Sequence, residues 1–273
     1  MIKAVLERHK LKFSLTLFLL LAEALAGLLF PLVIGFAIDG TINGSYGGIW
    51  QLLTLGIVVL LVGAGRRFFD SRFYAQVYQE VGFDTISCTK DDSASIKSAR
   101  LGMIGELVEF FENSMPELIN SAVGLVGVVV IIATLNVYVF CGSLCVTVLV
   151  FLIYWISSGR TVRLNKAAND EQERQVDVVS RQQTEEMADH LKKGMKWNIQ
   201  LSDLETANFS ASWVLLLTFL VITILLGANS ESLGYGALFS LLMYVFQFME
   251  SMIDLPFFYQ NWLRLKEIRV RLR

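Results

Sequence analysis

"LINSAVGLVGVVVIIATLNVYVFCGSLCVTVLVFLIYWISSG", residues 118–159, runs for 42 positions without one Asp, Glu, Lys or Arg. About 20 apolar residues carry a helix across a bilayer. A single helix of this length would overshoot the membrane, so the stretch reads as two spans, 118–135 and 137–159, with a turn near Leu135-Asn136-Val137.

The rest of the chain follows the same pattern. Residues 13–38 hold one ionisable side chain, Glu23, and close on "PLVIGFAI". Pro31 and Gly35 are tolerated in, or bend, the outer turn of that span, and Asp39-Gly40 marks its exit into a short loop, "GTINGSYGG". The apolar stretch is too long for a signal peptide and shows no small-x-small cleavage site. Residues 49–65 form a second span that runs into Arg66-Arg67, residues 209–228 a fifth and residues 233–254 a sixth. Composition agrees: 54% of residues are hydrophobic, mean hydropathy is +0.55, and 18% are charged against about 25% in soluble domains. The expectation is an all-α integral membrane protein with six transmembrane helices.

Charge sets the orientation. With six spans both termini share one side, together with residues 66–117 and 160–208. All 23 Lys and Arg fall on that side or at its membrane boundary. By the positive-inside rule it is cytoplasmic. The reading is a multi-pass protein of a bacterial inner (cytoplasmic) membrane. A net charge of −2 offers no electrostatic footprint for nucleic acid.

The segments 66–117 and 160–208 read as helical hairpins that continue the spans into the cytoplasm. "RRFFDSRFYAQVYQEVGFDT" (66–85) places aromatic and apolar residues at helical spacing, and "RTVRLNKAANDEQERQVDVVSRQQTEEMADHLKKGMKW" (160–197) is rich in helix formers. A 20-residue extension reaches about 30 Å.

Three cysteines exclude a disulfide framework. Cys141 and Cys145, four apart, lack the further ligands of a thiolate metal site and read as small packing residues. The histidines, His9 and His190, lie far apart in polar segments. No catalytic residue, metal or cofactor is expected.

Six spans, short external loops and two long cytoplasmic hairpins resemble the transmembrane domain of type I ABC exporters (the type IV fold). "PLVIGFAID" (31–39) looks like the end of their first helix, and Gly105-Glu106-Leu107 is similar to the Gly-Glu-Leu that opens their third. "GYGALFSLLMYVFQFMESMIDLPFFYQNWLRLKEIRV" (234–270) resembles their sixth helix and lead-out. The resemblance implies half of a translocation unit, completed by a second copy as a domain-swapped C2 homodimer. Departures accompany it. No G-x-x-x-x-G-K-[ST] phosphate loop occurs in the 273 residues, so the expectation is a translocation domain without its own ATPase. The family usually has a Phe-Phe-Asp-type segment before Gly-Glu-Leu; here the stretch is "CTKDDSASIKSAR" (88–100), small and polar. The hairpins look abridged where the family docks its ATPase.

Candidate site residues follow from charge in the membrane. A carboxylate at the bilayer centre costs on the order of 3 kcal/mol, and such groups are functional candidates by default. Glu23, near mid-depth, is the clearest. Glu250 and Asp254 share a face of the sixth helix. Arg66, Arg67 and Asp70 stand as charges at the cytoplasmic mouth, with an ion-pair or head-group role. Glu106, Glu109 and Glu112 read as a solvated face. Met243, Phe246 and Met249 are candidates to line a cavity for an amphipathic solute or peptide.

Three functions compete. The first is an ATPase-free, ion-driven secondary transporter, in which protonation of Glu23, with Glu250 or Asp254 as a second site, biases inward-open against outward-open states. Proton-driven peptide transporters of similar fold make that architecture feasible. The second is a membrane subunit served by a separate ATPase chain. The third is a non-transporting receptor, immunity or scaffold protein.

Overall fold

A computed structural model describes residues 8–88, 94–181, 183–229 and 234–271, with backbone alone at 88, 94–96, 99–100, 173, 176–177 and 255–271. The tip of the first hairpin, 89–93, and most of the loop before the last helix, 230–233, lie outside the described residues, as do the side chains of the lead-out beyond Asp254. Among the described residues there is no strand. The helices are α1 (Lys10–Leu28), α2 (Phe30–Ile42), α3 (Gly47–Cys88), α4 (Ala94–Glu109), a π-helical turn (Phe110–Ser114), α5 (Met115–Leu135), α6 (Val137–Glu173), α7 (Gln175–Arg181), α8 (Thr184–Ala228) and α9 (Tyr235–Arg271). Among the described residues six segments are long and apolar enough to cross a membrane: Lys10–Ile42, Gly47–Ser87, Leu101–Leu135, Val137–Gln172, Thr184–Ala228 and Tyr235–Asp254.

Two proline effects shape the first half. The segment Lys10–Ile42 is two helices, broken at Leu29. Pro31 has no N–H to offer the carbonyl of Gly27, and its ring crowds that carbonyl. The chain tightens there, with the Leu29 N–H bonded to Ala26 O at 3.1 Å. Pro116 acts on the helix Leu101–Leu135. Just before it the register widens by one residue, and the Met115 N–H reaches back to Phe110 O. Between the first two spans α2 turns into α3 through Gly44, whose φ of +75° is open to glycine at little cost.

The chain forms two compact units, residues 1–137 with 226–273, and residues 138–225. In the first, α9 packs on α2 and α5, and α1 packs on α3 and α5. Small residues let these backbones approach. A Cβ on Gly236 would collide with the Gly35 carbonyl, and one on Gly35 with Ser240 and the Gly236 carbonyl. Ser240, 2% exposed, donates to Pro31 O at 2.7 Å. The Tyr244 hydroxyl donates to Leu28 O at 2.6 Å, beside the helix break. Asp39 does not simply mark a loop exit. Its Oδ1 accepts the Gly236 N–H at 2.7 Å, so a carboxylate from α2 caps the first turn of α9. Val81 and Ile104, with Val77 and Val108, join α3 to α4.

In the second unit, α6 and α8 are tied by polar contacts. Asn208 Nδ2 donates to Ser157 Oγ at 2.8 Å, both residues being buried. His190 Nδ1 and Glu171 Oε1 lie 2.8 Å apart, and Arg174 approaches the same carboxylate at 3.4 Å. Phe219 lies in the notch at Gly142.

Candidate functional site: a buried carboxylate–guanidinium cluster

The first unit places Glu23 of α1 against Arg66 and Asp70 of α3. Arg66 Nε donates to Glu23 Oε2 at 2.6 Å, and Arg66 Nη1 donates to Asp70 Oδ2 at 2.9 Å. The Thr16 hydroxyl donates to the other Asp70 oxygen at 2.8 Å. Helical spacing prepares this: Arg66 and Asp70 are four apart on one face, and Thr16 and Glu23 are two turns apart on α1. The planar guanidinium can serve two carboxylates along two edges. The side chains of Arg66 and Asp70 are 7% and 4% exposed, and Glu23 is 16% exposed.

The cluster counts two carboxylates against one guanidinium. In a low-dielectric setting an unmatched charge is costly. Gly63 makes room for the Glu23 carboxylate: a Cβ there would stand 2.8 Å from Oε1. One turn below Asp70, Tyr74 is 2% exposed, and its hydroxyl finds no hydrogen-bond partner among the described residues. Ser71, next to Asp70 in sequence, donates to Glu112 Oε1 at 3.0 Å and so ties α3 to the π-helical turn.

The remaining candidates are distributed otherwise. Arg66 and Asp70 were expected with Arg67 as charges at the cytoplasmic mouth in an ion-pair or head-group role; Arg66 and Asp70 are buried and paired with each other, Arg66 also with Glu23, and Arg67 is exposed. Glu250 and Asp254 are exposed on α9 and form no ion pair among the described residues. Met243, Phe246 and Met249 share no common surface: Met249 is 2% exposed and packed inside, Met243 is half-buried, and Phe246 is 48% exposed. Glu106 and Glu109 are exposed, whereas Glu112 is half-buried on Ser71. Cys141 and Cys145 are both free and exposed on the surface of the chain. No group of three potential metal ligands occurs among the described residues.

Sequence reasoning missed three partnerships. Each histidine meets a glutamate, His9 with Glu80 at 2.9 Å and His190 with Glu171 at 2.8 Å. Thr16 completes the cluster, although a lone threonine in an apolar span carries no signal. The Glu23–Arg66 pair had a trace in the sequence, namely opposite charges in adjacent spans; the connecting loop does not fix their relative depth.

An open groove of about 530 Å³ lies beside the cluster, between α1 and α3. It is lined by Glu23, Val59, Leu60, Ala64, Arg67 and Phe68, with Gly63 and Ser71 completing it.

No curated protein matches the sequence. The model of the family described as "ABC transporter transmembrane region" matches residues 2–236, most of the chain. With six membrane-length apolar helices beneath that match, the chain belongs to the ABC transporter transmembrane region family and is a multi-pass integral membrane protein.

Proposed function

We propose that this chain is the membrane half of a transporter that works by alternating access as a homodimer, moving an amphipathic solute or peptide, with proton binding at Glu23 as its energy input. The observation that carries the reading is the cluster of Glu23, Arg66 and Asp70 within apolar helices, with one negative charge in excess. Charged groups at such positions mark ion and substrate pathways. A proton on Glu23 would weaken its tie to Arg66 while Asp70 keeps its own. That loosens the junction of α1 with α3 without dissolving it, as a ligand biases a two-state equilibrium. The separate compactness of the α6–α8 unit supports a domain-swapped pairing of two copies. Both termini are assigned to the cytoplasm of a bacterial inner membrane from the lysine and arginine distribution.

The test has two arms. Gentle extraction followed by native mass measurement should give about twice 30.7 kDa without ATP turnover. In proteoliposomes with an imposed proton gradient, solute-dependent proton flux should be present, and Glu23→Gln should abolish it while leaving the dimer intact. Full flux in that variant rules out Glu23 as the coupling site, and a monomer rules out the paired architecture.

Family membership favours a second reading, a membrane subunit driven by a separate ATPase chain. Co-purification of an ATPase subunit with turnover would establish it in place of the first.

A further inference from the structure

The groove beside Glu23 is apolar along Val59, Leu60, Ala64 and Phe68, yet carries one charge of each sign. Glu23 Oε2 is taken by Arg66, whereas Oε1 rests in the notch at Gly63 on the groove wall. Arg67 is exposed and makes no ion pair among the described residues. It lies one helical turn, about 6 Å of rise, from Gly63. A volume of about 530 Å³ falls within the roughly 300–1,000 Å³ typical of small-molecule sites.

Charge complementarity selects the occupant. A simple cation would satisfy the excess negative charge at Glu23 but face Arg67. A simple anion would satisfy Arg67 but face the Glu23 carboxylate. The Ser71 hydroxyl is already held by Glu112. We infer that this groove binds a zwitterionic amphiphile, with its ammonium at Glu23, its acid group about one helical turn away at Arg67, and its apolar body along α3. The chemistry is shared by an aminophospholipid head group and by a small apolar peptide with free termini. That such a molecule is also the transported solute rests on the transport reading above.

The test uses the full chain purified in a sugar-headgroup detergent. Binding is followed by native mass spectrometry with four probes: lyso-phosphatidylethanolamine, the dipeptide Phe-Phe, dodecylammonium and dodecyl phosphate. At least one zwitterion should bind ten-fold or more tightly than either singly charged amphiphile. Retention of the lysolipid alone assigns a lipid head group, and retention of the dipeptide alone assigns a free solute. Ala64→Phe, which fills the groove, should weaken zwitterion binding at least ten-fold. Arg67→Gln should do the same while leaving dodecylammonium unchanged. Equal binding of all four probes, or zwitterion binding indifferent to Arg67→Gln, overturns the proposal; if Ala64→Phe does not fold, the Arg67 arm decides alone. The groove lies within one chain, so loss of the dimer or of proton flux would sink the transport reading without touching this one.

Discussion

Arg66 Nε stands 2.6 Å from Glu23 Oε2, joining helices α1 and α3 across 43 positions of sequence. The same guanidinium holds Asp70 one turn further along α3. Two carboxylates therefore depend on a single cation. Removing it leaves two like charges buried beside each other, which costs more than removing either acid.

Arg66→Gln should accordingly destabilise the protein by about 3–5 kcal/mol, the range for breaking a buried ion pair from one side. Arg66→Lys should recover only part of this, because an ammonium lacks the planar fork that serves two carboxylates. Thermal melting of the purified protein in detergent checks both. Equal melting temperatures for wild type and Arg66→Gln would show that the cluster does not hold α1 to α3.

The seam between α2 and α9 makes a second expectation. Gly236→Ala places a methyl group against the Gly35 carbonyl, where backbone must move. The expected loss is about 1–3 kcal/mol, as for overpacking. Gly124 has nothing within 4 Å of its would-be Cβ. Gly124→Ala should be neutral or gain up to about 1 kcal/mol in helix propensity. Melting curves of the two alanine variants, run side by side, should separate in opposite directions.

Glu171 and His190 tie α6 to α8 while buried at 7% and 8% exposure. Glu171→Leu strands the imidazole without its acceptor, at a cost of about 1–3 kcal/mol. Glu171→Gln keeps a hydrogen-bond partner and should lose less. Limited proteolysis reads the difference: cleavage within 160–208 should accelerate in the leucine variant first. Identical cleavage in both would show that the pair does not order this region.

Cys141 and Cys145 are exposed, so replacing both with serine should change stability by no more than about 0.5 kcal/mol. A larger loss on melting would place these thiols in an interface made by another molecule.

The fold class was legible because a bilayer imposes a length and a polarity on each helix, and both are written residue by residue. The charge-free run 118–159, the alternation of apolar and charged blocks, and the absence of strand signals carry that much. Pro31 told of a bend in the first segment, but not that Tyr244 and Ser240 of α9 would bond the carbonyls of Leu28 and Pro31. Hydropathy reports how far a side chain is from water-loving neighbours along the chain, and it says nothing of which helix lies alongside.

The candidate site shows the same limit. Glu23 was conspicuous as the one ionisable residue in its span, and Arg66, Arg67 and Asp70 as a charged boundary. Sequence gave them separate places, one at mid-depth and the others at a mouth. Whether a carboxylate in the membrane is alone or paired depends on the depth and rotation of two helices relative to each other. Side-chain packing sets both, through notches such as Gly63 against Glu23 and Gly127 against Leu28. The sequence by itself determined six apolar helices, because burial in lipid acts on each segment independently. Only the tertiary structure decided that Glu23 meets Arg66 and that Asp39 caps α9, because those pairings arise from contacts between segments that no local pattern encodes.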